Sequence, residues 1–210
     1  MTPASRRIVM ARHAETAWTR IRYSGSVDLP LSDAGREQAR ALGLRIARSG
    51  LLGAPGAGIV SSPMRRAFET ADAVAGLVGL PVRADERWRE VDFGLLEGLT
   101  FEEAQAGWPD LAVRLGRGDV AIDWPNGEPW QHLCARTAAA WRELSNLGGP
   151  VLVVSHGMAI RSALTQALRA SSGSTGPSLP HVPPGGTVAV HAVEDGWAVE
   201  ADWPDEEPVR

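Results

Sequence analysis

Ile8-Val9-Met10-Ala11-Arg12-His13-Ala14-Glu15-Thr16 decides the fold. Four small or apolar residues in a row read as a strand buried on both faces, as strands of parallel sheets are. The chain must then turn, and the turn carries Arg12 and His13. In open α/β sheets, ligands bind at the carboxyl ends of the strands. A fixed cation and a neutral nitrogen nucleophile therefore stand together where a ligand would sit. Taken alone, the pair favours the plainer reading of a strand-end arginine beside a surface histidine. A second apolar run, Val151-Leu152-Val153-Val154, changes that, because it also ends in a histidine, in Ser155-His156-Gly157, with a helix following. Between them in sequence lies an arginine-rich strand end, Ser61-Ser62-Pro63-Met64-Arg65-Arg66. The three together describe one anion pocket assembled from three strands.

Outward from these runs, strands alternate with helical patterns. Residues 18–30 form a polar loop containing Gly25. Ser32 is a plausible helix cap, with Ala39, Leu42 and Ile46 at helical spacing before Gly50. A strand at 59–61 follows, and Pro63 is expected in the first turn of the next helix. That helix presents Ala67, Ala71, Val74 and Leu77 and ends near Gly79. A short strand at 81–83 runs into Arg89-Glu90-Val91-Asp92-Phe93-Gly94. From residue 101 to about 130 the pattern is a helical excursion outside the sheet, broken at Gly107-Trp108-Pro109. A long helix then faces Leu133, Thr137, Ala140, Trp141 and Leu144 inward. The strand to His156 and a helix over 158–170 follow. Residues 171–186 read as a loop rich in Ser, Gly and Pro. A hairpin turns at Glu194-Asp195-Gly196, and the tail from Asp202 is acidic without a core face. No repeat or internal boundary interrupts this order. The expectation is one domain over 1–210, a three-layer α/β/α sandwich with a mostly parallel sheet.

Composition excludes several classes of function. A net charge of −4 leaves no basic footprint for nucleic acid. All 21 basic residues are arginine, which rules out Schiff-base lysine chemistry and a P-loop lysine. Every basic side chain that meets an anion is then a guanidinium, suited to bidentate phosphate binding. Cys134 is the sole cysteine, so neither an intrachain disulfide nor a C-x-x-C metal site can form, and it reads as a helix-face packing residue. No run approaches membrane-spanning length, and Met1 to Arg7 lacks the apolar region of a signal peptide, which points to a cytoplasmic protein. A homo-oligomer stays open.

Four segments carry a resemblance: R-H-A-E-T at 12–16, S-S-P-M-R-R-A-F-E-T-A at 61–71, R-E-V-D-F-G-L-L-E-G at 89–98 and V-S-H-G at 154–157. In this order and spacing they resemble the histidine phosphatase superfamily, which includes phosphoglycerate mutase. The resemblance implies the phosphoglycerate mutase-like fold and a phosphohistidine formed on His13. It also implies Arg12 and Arg66 on the phosphoryl oxygens, His156 hydrogen-bonded to the transferring group, and Glu90 as the acid for the leaving oxygen. A phosphate monoester needs such parts: cations, an in-line nucleophile and a proton donor. Nearby guanidinium charge would keep His13 neutral against a reference pKa of ~6.5, while Glu90 would need its pKa raised towards neutrality. Arg66 is chosen over Arg65 because the family's arginine directly precedes the Ala of its helix. Thr19, Ser24, Gly25 and Gly157 are expected around the phosphate, Gly157 at a helix N-terminus that favours an anion.

This sequence departs from the family at two positions. Ala14 stands where the family has Gly, which is acceptable only if φ is negative. Thr19 stands where the family has an Asn ligand, and its hydroxyl retains one donor. Glu15 and Thr16 read as loop braces, and His132, His181 and His191 as structural. Trp108, Trp124 and Trp130 form either a local core or the wall of a leaving-group pocket, with the core favoured. The expected function is a metal-independent phosphatase, without cofactor, acting on a small phosphate monoester. Sugar phosphates, phosphoserine, nucleotide-derived phosphates and α-ribazole phosphate all suit similar short members. A bisphosphoglycerate-dependent mutase and a catalytically silent binding module are the alternatives.

Overall fold

The computed structural model describes residues 6–119, 121–172, 181–194 and 196–200. The tail from Asp202 and the start of the chain lie outside the described residues, as does most of the Ser/Gly/Pro-rich stretch. Strand β1 (Arg7–Arg12) lies inside a six-stranded sheet with β2 (Gly58–Ser61), β3 (Val82–Ala84), β4 (Val151–Ser155), β5 (Thr187–Val193) and β6 (Gly196–Val199). The order is β3-β2-β4-β1-β5-β6. Only β5 runs against the others, pairing antiparallel with both neighbours. The sheet is therefore mostly parallel, as expected.

Successive side chains of a strand point to opposite faces, and here that alternation builds two cores. Ile8, Met10, Val151 and Val153 pack on α5 (Trp130–Ser145) and α6 (Gly157–Ser172), meeting Ala140, Trp141, Leu144, Ile160 and Leu164. Val9, Ala11, Leu152 and Val154 pack on α1 (Asp33–Ser49) and α2 (Arg65–Val78), meeting Leu42, Ile46, Ala67, Ala71 and Val74. These are the three layers. The five inward residues expected on α5 are all buried. The excursion is observed as α3 (Phe101–Gly107) and α4 (Pro109–Gly116), broken where expected because Pro109 starts a new helix at its own first turn.

Local signals place the termini. Ser32 Oγ accepts from Gly35 N at 3.0 Å, and Gly50 ends α1 at φ 69°. Two expectations on α2 and one on α6 need correction. Pro63 lies outside α2, whose first residue is Arg65 and whose cap position is Met64. Asp28 Oδ1 takes the Arg65 N–H instead, at 2.7 Å, so a distant loop supplies the cap. Leu77 is 45% exposed because it lies at the α1–α2 edge over Gly43, and Ala75 takes the inward position. Helix α6 runs through Ser172, so residues 171 and 172 are not loop.

Candidate active site

The register of β1 on β4 pairs Arg12 with Ser155, so the next residues, His13 and His156, emerge side by side at the carboxyl ends. Their ring centroids are 5.0 Å apart. Strand β2 pairs Ser61 with Val154 and delivers Ser62 to the other side of His156. Three neighbouring strand ends thus form one pocket, as the sequence indicated.

Hydrogen bonds fix both tautomers. His13 Nδ1 lies 2.8 Å from the Ala14 carbonyl, which can only accept, so Nδ1 carries the proton and Nε2 the free lone pair. Arg66 Nε can only donate, and it reaches His156 Nδ1 at 3.2 Å, so His156 holds its proton on Nε2 and offers it to Ser62 Oγ at 2.8 Å. Both imidazoles are held neutral, well below the usual histidine range. Burial is the main cause for each, followed by the Arg66 charge; the Arg12 charge acts on both as well. Ala14 is fully buried, and its N–H donates to Thr70 Oγ1 at 3.1 Å. Among the described non-glycine residues only Arg20 and Asn126 have positive φ, so the Ala replacement meets its condition.

The two arginines differ. Arg66 is fully buried, and its Nη atoms donate to Val27 O at 2.7 Å, Gly25 O at 2.8 Å and Ser24 O at 3.1 Å. Arg12 reaches only Val182 O, at 3.4 Å, and its buried Nε has no partner among the described residues. Its guanidinium lies over Gly157, whose missing Cβ would stand 3.6 Å from it. Arg65 is a solvated neighbour, paired with Glu69 at 3.2 Å.

Glu90 reaches the same place from the segment after β3. Its carboxylate accepts from Val91 N at 3.0 Å, Ala159 N at 3.2 Å and Met158 N at 3.2 Å. The helix N-terminus after His156 therefore does favour an anion, but the anion it holds is Glu90. Arg136 fixes the approach, donating to the carbonyls of Arg87, Arg89 and Glu90 while paired with Glu128. Asp92 is exposed and turned to Gly94 N.

The remaining expected phosphate neighbours are placed differently. Ser24 and Gly25 hold Arg66 through their carbonyls, and Gly25 N–H is bound by Glu97 at 3.0 Å. Glu97 also takes Ser26 N and Phe93 N, so this acid of the motif is a loop clamp. A Cβ at Gly25 would stand 2.0 Å from Val91 O, so only glycine allows that approach. Thr19 Oγ1 accepts from Thr16 N at 2.8 Å and bonds Thr16 Oγ1, bracing the loop after His13.

A cavity of 280 Å³ reaches Arg12 and Glu90 and is also lined by Phe93, Arg161, Leu164 and His181, among others. Trp108, Trp124 and Trp130 are absent from its wall and belong to a separate cluster with Val91, Leu96 and Leu133, so the local-core reading holds. Sequence reasoning missed Arg161 and His181. The only signal was the helical spacing of Arg161 from Gly157, and His181 gave none. Among the described residues, no group of three or more His, Cys, Asp or Glu is arranged to hold a metal ion, and no helix is long and apolar enough to cross a membrane.

A profile of the histidine phosphatase superfamily (branch 1) matches residues 8–202. A Mycobacterium tuberculosis protein described as bifunctional is 36% identical over 170 residues, 80% of this chain and 45% of that one. The chain thus spans 45% of the length of the mycobacterial relatives it matches. Arabidopsis thaliana phosphoglycerate mutase-like protein 4 is 33% identical over 165 residues, 76% of this chain and 70% of that one. A mycobacterial glucosyl-3-phosphoglycerate phosphatase, solved with VO3, superposes with a TM-score of 0.80 at 30% identity, covering 93% of this chain and 97% of that one. With four motifs in register, the matching sheet and two neutral histidines at adjacent strand ends, the chain belongs to the histidine phosphatase superfamily.

Proposed function

We propose that the chain hydrolyses a small phosphate monoester through a phosphohistidine on His13, without a metal ion. The observation that carries this reading is the bare Nε2 of a buried, neutral His13, with His156, Arg66 and Arg12 close by. The lone pair of Nε2 attacks phosphorus, and the bond to the leaving oxygen breaks as the Glu90 carboxyl, having taken a proton from solvent, passes it to that oxygen. Water then attacks the phosphohistidine. Glu90 takes the water's proton, the N–P bond breaks, and inorganic phosphate leaves. Arg12, with its unpartnered Nε, binds a phosphoryl oxygen, while Arg66 holds His156 and the loop in place and offers its remaining N–H.

The presence of every reacting group supports an enzyme over a silent binding module. A mutase would share all of them, and the printed names of some relatives keep that reading in view. The test is release of p-nitrophenol and phosphate from p-nitrophenyl phosphate in EDTA, together with trapping of an acid-labile phosphoenzyme. Hydrolysis with a trapped N-phosphate is expected. No turnover, or activity only after a divalent ion is restored, would overturn the reading. Interconversion of phosphoglycerates that depends on added bisphosphoglycerate, and outpaces hydrolysis, would replace it with the mutase.

A further inference from the structure

Arg136 of α5 uses every N–H it has on other parts of the protein. Its Nε and Nη2 donate to the two carboxylate oxygens of Glu128, each at 2.7 Å. Its Nη1 donates to the carbonyls of Arg87 at 2.9 Å and Arg89 at 2.6 Å, and Nη2 to that of Glu90 at 3.0 Å. A guanidinium has five N–H donors, so this one is saturated. The three carbonyls need it. Residues 89–93 lie between two short 3-10 helices, Glu86–Trp88 and Gly94–Leu96, outside any helix or strand, so no ladder fixes the main chain that carries Glu90. Glu90 is thereby held from two helices. Its carboxylate is taken by Met158 N and Ala159 N of α6, and its main chain by Arg136 of α5. The helices are themselves joined beside Arg136, where Thr137 Oγ1 and Ser162 Oγ hydrogen-bond at 2.9 Å, both side chains fully buried.

We propose that Arg136 is a positioning residue for the proton donor: by fixing the main chain of Glu90 it sets where the carboxyl meets the leaving oxygen. This rests on the phosphatase reading, in which Glu90 is the acid. Proton transfer needs donor and acceptor at hydrogen-bond distance in a set direction, and a misplacement of about 1 Å can cost roughly a hundredfold. Attack by His13 does not depend on this strut, because the nucleophile is oriented from β1 and by the Ala14 carbonyl. Loss of Arg136 therefore damages the reaction in proportion to the leaving group's need for a proton. Lysine cannot stand in fully. Its ammonium is a point charge without the planar fork that serves a carboxylate and three carbonyls at once.

The experiment measures kcat/KM for p-nitrophenyl phosphate and phenyl phosphate, whose phenolate is the more basic leaving group. The ratio of the two does not depend on how much of the enzyme is folded, so a variant that is merely less stable leaves it unchanged. Arg136→Met is expected to raise the preference for the p-nitrophenyl ester about fivefold, and Arg136→Lys by less. In a Glu90→Gln background Arg136→Met should raise it no further, because the group it positions is gone. An unchanged ratio in Arg136→Met, or a further rise on top of Glu90→Gln, overturns the role of Arg136 and leaves the phosphatase reading standing. Should Arg136→Met fail to fold, Arg136→Lys decides alone, a rise supporting the proposal and an unchanged ratio overturning it. A ratio that Glu90→Gln itself leaves unchanged removes Glu90 as the acid, and the proposal with it, without touching the role of His13. Failure of the wild type to hydrolyse either ester overturns both the proposal and the phosphatase reading.

Discussion

Arg66 and Arg12 act on the same pair of histidines, yet Arg66 is taken up by the protein and Arg12, in the function proposed, is left for a ligand. Arg66 donates to three backbone carbonyls and to His156, and Glu97 clamps the loop that provides those carbonyls. Among the described residues Arg12 makes one long contact, and its buried Nε has no partner. The difference runs through the whole site. Its phosphoryl end is built from β1, β2 and β4, and three of the four ring nitrogens there have partners, which leaves His13 Nε2 free. In the function proposed, its leaving-group end is the cavity lined by Arg12 of β1 and by residues of α6. A site organised this way fixes the chemistry in the scaffold and leaves the choice of substrate to a few side chains on one helix.

The largest effect is expected at the centre of the rigid end. His13→Ala should abolish turnover, with no acid-labile phosphoenzyme trapped, because the other ring lone pair at the strand ends, on His156 Nδ1, is held by Arg66. A trapped phosphoserine, or substantial residual activity, would make Ser62 or another group the nucleophile. Next in size is the boundary between the two ends. Glu90→Gln should slow alkyl phosphate hydrolysis by about a thousandfold, since an alkoxide leaves badly without a proton. p-Nitrophenolate leaves unaided, so the mutant should show a burst of p-nitrophenol followed by slow dephosphorylation. Equal loss on both substrates with no burst would reduce Glu90 to a structural residue held by α6.

The two arginines themselves give the third test. Arg12→Ala and Arg66→Ala should each cost roughly a hundredfold in kcat/KM. They should separate in stability. Arg66→Ala strips three carbonyls and His156 of their donor inside the fold and should lower the unfolding free energy by about 3 kcal/mol. Arg12→Ala removes a cation with few partners among the described residues and should leave it almost unchanged, while losing the rise in Tm expected of the wild type with vanadate. Arg65→Ala, exposed and paired only on its own helix, should alter neither. Similar stability losses at 12 and 66 would erase the contrast.

How much of this was legible follows from what each signal encodes. Apolar runs at β1 and β4 and the spacing on α5 report burial, so the sheet, the layers and the adjacency of the histidines could be read. The start of α2 could not, because its cap is Asp28, thirty-seven positions away in sequence. Gly25 and Glu97 were visible as motif residues, but their roles depend on a loop folding onto Arg66, a tertiary event without local periodicity. Helix α6 was predicted, yet nothing in its pattern says that Arg161 faces a cavity. His181 reads as structural from sequence, because a lone histidine in a loop carries no partner pattern.

The smallest expected effect is on stability against pH, and it belongs to the rigid end alone. His13 and His156 are both held neutral well below a reference value of 6.5, by burial first and then by the Arg66 charge. Between their native pKa values and 6.5 the unfolded chain therefore binds more protons than the native one. Stability then rises with pH across that window, is fully present above it, and is lost as the pH falls through it. Asp85 responds at lower pH: drawn down first by its hydrogen bond from Arg87, it loses its contribution only below its reference value of 3.8. Urea titrations from pH 7.5 to 5 should therefore show the unfolding free energy declining before Asp85 protonates. The decline should be shallower in His156→Asn, which removes one of the two groups. A wild-type stability that is flat across this range would mean the histidines titrate normally, and the neutral Nε2 of His13 would then owe nothing to its burial.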